Sequence, residues 1–434
     1  MKIGVQVSDS IGISLLGAGN VGSAVLDTLL ADVERHNNLI GTKLKLNYVL
    51  VQDVDKHKKK SPNIHFTKDF EQIVNDPDTS IVVELIGGES PAKDYLSKLL
   101  KSGKHVVTAN KDVMAKYGSE LNDLAIQNNS SIKYEASVGG GIPIIGPLSR
   151  DLLANEISSI SAIINGTTNY MLSLMLSEDV SYEDALEQAQ KLGYAEPNPV
   201  NDVEGIDATY KLAILCGLAF HVDVDPSEIY SKGISNIELQ DLKYADELGY
   251  SIKLLAKADL IGNRITCLVC PTLIPKSEPL SKVDGVLNAI QLKGNLVGQV
   301  VFEGPGAGAS ATSSAILGDV IDTAKNIHSS WKESSNSILN KIQINDIGDF
   351  QSRFYIRVNV IDEPGVLATI AGIMSEHSIS IASVIQAASD PEKNTAQIVL
   401  ITHDASQKNI DLALNTISKE KKVDKIFNLL PIVN

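Results

Sequence analysis

The chain has 434 residues, more than the ~250–300 that one hydrophobic core usually organises, so two or three domains are expected. At 43% hydrophobic and 21% charged residues it has the composition of an ordinary soluble globular protein. Its 38 basic and 53 acidic residues give a net charge of −15, which argues against nucleic acid or an anionic membrane as a general partner. The first residues, MKIGVQVSDSIGISLL, are not expected to act as a signal peptide, because Asp9 interrupts the apolar run. No apolar run reaches the ~18–20 residues that a membrane helix needs. Three cysteines cannot form a disulfide framework and fit a reducing, cytoplasmic setting.

Residues 11 to about 136 alternate strand-like and helical periods, which predicts a parallel sheet wrapped by helices. Strands are expected at 11–16, 46–51, 80–86, 104–109 and 131–136, with amphipathic stretches such as SAVLDTLLADVERH and PAKDYLSKLLKSG between them. GAGNVG, Gly17 to Gly22, stands where the first strand gives way to a helix, the context that a G-x-G-x-x-G requires. Gly17 permits the tight turn, Gly19 lets the backbone approach a pyrophosphate, and Gly22 lets helix and strand pack closely. The helix N-terminus then offers N–H groups to the phosphates. A dinucleotide is the expected ligand; a tight turn without one is the plainer alternative.

The second strand ends in VQDVDKHKKK. It offers Asp53 or Asp55 to a ribose diol, as NAD requires, and Lys56, Lys58, Lys59 and Lys60 to the 2′-phosphate of NADP. A solvated loop explains the lysines equally well, so the choice stays open. Further on, strand 104–109 runs into TANK, with Lys111 just past the carboxyl end of a parallel strand, where open α/β sheets bind ligands. EASVGGGIPI follows, with Glu135 at a strand end and Gly139 to Gly141 exposing main-chain carbonyls. That combination suits a hard cation, although a structural turn is the stronger reading from the residues alone.

The middle region, about 137–328, mixes longer helices with the β-rich runs ISSISAIIN, RITCLVCPTL and NLVGQVVFE, and reads as an α+β domain. Cys267 and Cys270 have CxxC spacing, but three residues apart in a strand they point to opposite faces, which favours core thiols over a metal knuckle. Residues 193–211, GYAEPNPVNDVEGIDATYK, gather Glu196, Asp202, Glu204 and Asp207 around a single cation, Lys211. Pro197 and Pro199 make the first half a loop. Asp202 is expected to cap the apolar-periodic helix of Val203, Ile206, Tyr210, Ala213, Ile214 and Gly217, on which Asp207 and Lys211 stand i,i+4. Carboxylates around an amine could bind an amine-bearing substrate and offer it a proton. Taken alone, an exposed ion pair worth ~0.3–0.5 kcal/mol explains Asp207 and Lys211 as well. The polar stretch at 328–349 has a linker's composition, and 353–434 reads strand, helix, strand, strand, helix, strand.

GAGNVG, TANK, EASVGGGIPI, NGTTNYML (165–172) and GYAEPNPVNDVEGIDATYK, in this order, resemble homoserine dehydrogenase. GPGAGASATSSAILGDV (304–320) resembles the segment by which that family returns from its substrate domain to its cofactor domain. The resemblance covers about 11 to 328. It implies reversible conversion of L-aspartate 4-semialdehyde and L-homoserine with NAD or NADP, on the branch to threonine and methionine. It also implies that Lys211 is the proton donor and acceptor, with Lys111 a second lysine contacting cofactor and reaction centre. Glu196 and Asp207 would hold the substrate's amino end, with Asp202 lining the pocket and the Gly193 backbone close by. Implied cofactor contacts are Gly17, Ala18, Gly19, Asn20, Val21, Gly22 and Gly308. Glu135 and the main chains of Val138, Gly140 and Ile142 match the family's sodium site. Two positions depart from the family: Asn198, where Asp is frequent, and Gln52, where an Arg would favour NADP. Hydride delivered to an aldehyde carbon builds charge on oxygen, which an ammonium both stabilises and protonates.

RFYIRVNVIDEPGVLATIAGIMSEHSISIASVIQ resembles the start of an ACT domain, a ferredoxin-like module that binds small amino acids. This implies feedback control, with threonine the expected effector and a homodimer or homotetramer the expected assembly; a dimerisation module without a ligand is the alternative. The expected fold is therefore α/β. A Rossmann-type domain covers 1–136 and 309–328, and a substrate-binding and dimerisation domain covers 137–308. A linker at 329–352 and a ferredoxin-like ACT domain at 353–434 complete it. Another NAD(P)-dependent semialdehyde or hydroxy-acid dehydrogenase would share GAGNVG but not 193–211. A non-enzymatic amino-acid sensor would not need both Lys111 and Lys211.

Overall fold

The structure, a computed structural model, describes residues 10–329, 343–390 and 394–433. These form two compact units, one from the described residues of 1–156, 213–226 and 304–341, the other from those of 157–212, 227–303 and 342–434. The linker expected at 329–352 falls largely on 330–342, outside the described residues.

In the first unit, six strands run parallel: β1 (Ser10–Leu16), β2 (Lys43–Leu50), β3 (Phe66–Thr67), β4 (Thr79–Glu84), β5 (His105–Thr108) and β6 (Ile132–Lys133). Their order is β3-β2-β1-β4-β5-β6, the doubly wound order, whose crevice lies at the carboxyl ends of β1 and β4. β1 is buried from Ile11 to Leu16, because helices cover both faces of the sheet. Ile13, Leu15 and Val49 of the strands and Val25 and Leu29 of helix Asn20–Ala31 share a core with Ile316, Val320 and Ala324 of helix Ala309–Ser329. The strand expected over 131–136 pairs only at Ile132–Lys133. It then turns into a 3-10 helix, Glu135–Ser137, since the Glu135 N–H goes to the Asp319 carboxylate at 2.8 Å and not to a neighbouring strand.

The second unit is built on one twelve-stranded sheet. One part of its order runs Gly298–Pro305, Leu287–Gly294, Ile157–Ile163, Tyr250–Ile261 and Arg264–Pro275. It continues into Val423–Ile432, Gln351–Ile361, Thr395–Thr402 and Ile381–Asp390 through the parallel pairing of Leu273 with Ile432. These last four strands pair antiparallel among themselves and carry helices Val366–Glu376 and Gln407–Ile417. Phe354, Ile356, Val358, Ile370, Met374 and Ile410 fill the space between, which is the ferredoxin-like arrangement expected of the C-terminal segment. Cys267 and Cys270 are both buried on strand Arg264–Pro275.

Candidate functional site

The GAGNVG loop links β1 to helix Asn20–Ala31. Gly17 takes a φ of +107°, and a Cβ there would meet the Leu85 carbonyl oxygen at 2.8 Å. A Cβ on Gly22 would lie 2.4 Å from the Gly17 carbonyl oxygen. A Cβ on Gly19 meets nothing within 4 Å, and no side chain caps the helix that begins after it. Two glycines are thus required by the fold, while the third faces open space beside uncapped amides, the shape into which a pyrophosphate fits. Gly308, at φ +110°, precedes helix Ala309–Ser329 and likewise has open space where its Cβ would be. Gly19→Ala should leave thermal stability unchanged and raise the KM for the dinucleotide at least tenfold, whereas Gly22→Ala should lower the melting temperature. Thermal melts and dinucleotide titration check both.

Asp53, a candidate ribose ligand, caps helix Val54–Lys58 by accepting the Lys56 N–H at 3.0 Å on Oδ1. Lys56, Lys58, Lys59 and Lys60 are exposed on and after this helix. At the carboxyl end of β4 the buried Glu84 accepts the N–H groups of Ile86 (2.7 Å) and Gly87 (3.1 Å) and the Thr108 hydroxyl. Sequence reasoning passed over Glu84, which reads as one more residue of an apolar strand. It shapes the loop whose Gly88 carbonyl receives Asn110 Nδ2 at 2.7 Å. Asn110 Oδ1 caps helix Lys111–Gln127 at Val113 N–H, and this cap places the half-buried Lys111 as the helix's first residue.

The Glu135 carboxylate is committed to main-chain donors: Ile144 (2.6 Å) and Ile145 (2.8 Å) on Oε1, and Gly146 (2.6 Å) on Oε2. Gly140 has φ +55°, and a Cβ there would sit 2.4 Å from the Gly306 carbonyl oxygen, so the glycine run is pressed against the segment before helix Ala309–Ser329. Among the described residues no group of three or more His, Cys, Asp or Glu side chains could hold a metal. A cation here would rest on main-chain oxygens.

Burial pushes the Asp319 carboxyl up to about 7, with the Glu135 N–H pulling the other way. An aspartate raised from 3.8 keeps a proton in the native state that the unfolded chain has already released. Its contribution to stability is therefore complete below the unfolded value and falls as pH rises from about 4 to 7, by at most ~1.4 kcal/mol per pH unit. Asp319→Asn should flatten that decline. Denaturation midpoints between pH 5 and 7.5 measure it; parallel curves for the two proteins would contradict it.

In the second unit the residues of 193–211 separate into two groups. Gly193 (φ +77°), Glu196 and Asn198 lie exposed on the loop after helix Tyr182–Lys191. That loop is tied down by Gln190 Nε2 to the Glu196 carbonyl (3.2 Å) and by the Thr167 hydroxyl to the Tyr194 carbonyl (2.7 Å). Asp202 is not the cap of the long helix. It sits inside a separate short helix, Val200–Val203, and the long one, Ile206–Phe220, begins after Gly205, whose φ of +78° breaks the chain between them.

Asp207 and Lys211 form no surface pair. Their side chains are 6% and 13% exposed, and Lys211 Nζ donates to Asp207 Oδ2 at 2.7 Å and to the Ile164 carbonyl at 2.8 Å. Two of the three ammonium donors are thus committed within the protein, and one remains for a substrate oxygen. Asn165, which caps helix Gly166–Glu178, donates from Nδ2 to Asp202 Oδ1 (2.7 Å) and Asp207 Oδ2 (3.0 Å). The structure therefore brings Asp202, Asp207 and Lys211 together, with Asn165 as a member that the sequence reading gave no role. An Asn directly before Gly-Thr-Thr is a helix-start signal, and it marked the residue.

Family models described as homoserine dehydrogenase match residues 143–321 and, for the NAD binding domain, 17–135; an ACT domain model matches 354–421. Homoserine dehydrogenase of Neisseria gonorrhoeae is 38% identical over 429 residues, 97% of this chain and 98% of that protein. The crystal structure of a homoserine dehydrogenase from Thiobacillus denitrificans is similar at a TM-score of 0.92 and 36% identity, over 98% of each chain. A hyperthermophilic archaeal homoserine dehydrogenase in complex with NADPH is similar over 72% of this chain and 97% of its own, at a TM-score of 0.61 and 28% identity.

Proposed function

The chain belongs to the homoserine dehydrogenase family and is an NAD(P)-dependent oxidoreductase with an ACT domain, and we propose that Lys211 carries the proton of its reaction. The observation that carries this is the buried ammonium with one uncommitted donor. NAD(P) supplies or accepts the hydride. As the aldehyde of L-aspartate 4-semialdehyde is reduced, its oxygen gains charge; the Lys211 ammonium stabilises that charge and then donates its proton to give the hydroxyl of L-homoserine. In the reverse direction the neutral amine accepts it. Asp207 orients the lysine through Oδ2.

Asp207, Asp202 and Glu196 supply negative charge for the substrate ammonium, with the Gly193 main chain beside them. Lys111 serves as the second lysine on the cofactor's side. Gly17 to Gly22 and Gly308 hold the dinucleotide, which the open space at Gly19 supports. A sodium ion, on this reading, takes the main-chain oxygens of Glu135, Val138, Gly140 and Ile142. A cytoplasmic homodimer or homotetramer, divided into domains at 1–136 with 309–328, 137–308 and 353–434, completes the reading. No helix among the described residues is long and apolar enough to cross a membrane.

Homoserine oxidation followed at the reduced nicotinamide's absorbance, with NAD and NADP in turn, tests the reaction and sets the cofactor preference. Absence of turnover with both would refute it. Threonine is proposed as the effector of the ACT domain, and turnover should fall as threonine is added up to millimolar levels; a flat response rejects that regulation.

A further inference from the structure

We propose that Asn165 is a positioning residue for the reaction, holding the carboxylates of Asp202 and Asp207 together and, through Asp207, fixing the Lys211 ammonium. This rests on the reading of Lys211 as the proton carrier. The orientation of the Asn165 amide is set by a donor that cannot be mistaken, the main-chain N–H of Thr168, which reaches Oδ1 at 2.9 Å. Nδ2 must then face the acids, and its two N–H groups are matched by the two carboxylates, at 2.7 and 3.0 Å. Asn165 is 4% exposed and Asp207 5%, so water does not readily take over the bond to Asp207 when the amide is removed; Asp202 is half-buried.

The preceding residue acts on the same pair. The Ile164 carbonyl accepts from Lys211 Nζ at 2.8 Å, so residues 164 and 165 grip both ends of the Lys211–Asp207 couple from the start of one helix. The acids sit on different helices, Asp202 on Val200–Val203 and Asp207 on Ile206–Phe220, with the Gly205 break between them. One planar amide bridging them fixes their separation across that break. Aspartate at 165 would still cap the helix but would set a third carboxylate against the other two. Serine would cap it with a hydroxyl too short to bridge both.

Asn165→Ser separates the two roles, because serine is as good a helix cap as asparagine. Its melting temperature should fall by several degrees at most, the cost of a buried acceptor losing one donor, so that the protein stays folded at the assay temperature, and the KM for NAD(P) should stay within about twofold. Its kcat/KM for homoserine should fall roughly ten- to hundredfold, the worth of one or two hydrogen bonds to charged groups. Asn165→Asp should lose more, and Asn165→Gln should not rescue, its longer stem carrying the amide off the cap. A parental kcat/KM in Asn165→Ser makes the residue a helix cap and overturns the proposal. So does a loss in both variants that tracks only the folded fraction seen by circular dichroism. Lys211→Ala run alongside tells the two readings apart. If it keeps turning over, Lys211 is not the proton carrier, and a loss in Asn165→Ser then stands for placement of the carboxylates alone.

Discussion

Lys211→Ala is expected to abolish homoserine turnover, with kcat down roughly a thousandfold or more, while the KM for NAD(P) stays put. Positioned proton transfer is worth about 10²–10⁴ in rate, and the same ammonium also stabilises the developing charge on oxygen. Lys211 is not among the residues proposed to hold the dinucleotide, Gly17 to Gly22, Lys111 and Gly308, which is why cofactor affinity should be spared. Alanine also takes the ammonium away from Asp207, which is 5% exposed, so the variant's fold has to be checked by circular dichroism. Lys211→Arg gives the cleaner comparison. Its guanidinium still neutralises Asp207 but does not release a proton at any working pH. Both variants should be inactive; a parental kcat in either removes Lys211 from the chemistry.

Much of this was legible before any coordinates, and what was hidden has a physical reason in each case. The parallel sheet announces itself because four of its six strands are long enough to show a run of strand residues; Phe66–Thr67 and Ile132–Lys133, at two residues each, are not, and the second shows in the sequence only as part of a longer run. GAGNVG is legible because its glycines answer three separate steric demands. Asp202 was misplaced because Asp is a good cap wherever it falls. The residue that divides the helices is Gly205, whose left-handed φ no periodicity displays. The i,i+4 spacing showed that Asp207 and Lys211 meet, but not that they are buried. Burial depends on Ile164 and Asn165, more than forty residues earlier, and it changes a pair worth a few tenths of a kcal/mol into a poised ammonium. The pairing of Leu273 with Ile432, through which one sheet runs into the C-terminal module, has no local signal at all.

Arg357→Met should destabilise the second unit by about 3–5 kcal/mol, the usual cost of leaving one partner of a buried ion pair alone. Arg357 lies on strand Gln351–Ile361 and is fully buried, as is Asp241 in the first turn of helix Leu239–Glu247. Its Nε reaches Asp241 Oδ1 at 2.6 Å and its Nη2 reaches Asp241 Oδ2 at 2.9 Å, with a further bond from Nη2 to Glu238 Oε2 at 2.7 Å. Asn428 Nδ2 (2.7 Å), the Tyr355 hydroxyl (3.1 Å) and the Glu238 N–H (3.1 Å) also donate to Asp241. The Phe427 ring lies 4.0 Å from the guanidinium carbon. Methionine fills much of the volume but leaves a carboxylate without a cation where water does not reach. Lysine keeps the charge and loses the two-pronged geometry, so Arg357→Lys should fall between. Arg357→Met combined with Asp241→Leu should recover at least half of the loss, since an apolar pair of similar volume often replaces a buried ion pair at little cost. Urea unfolding followed by fluorescence and circular dichroism gives all three values. A loss under 1 kcal/mol in Arg357→Met, or a double variant no better than the single one, would mean that the strand and helix are held by their apolar packing and not by this pair.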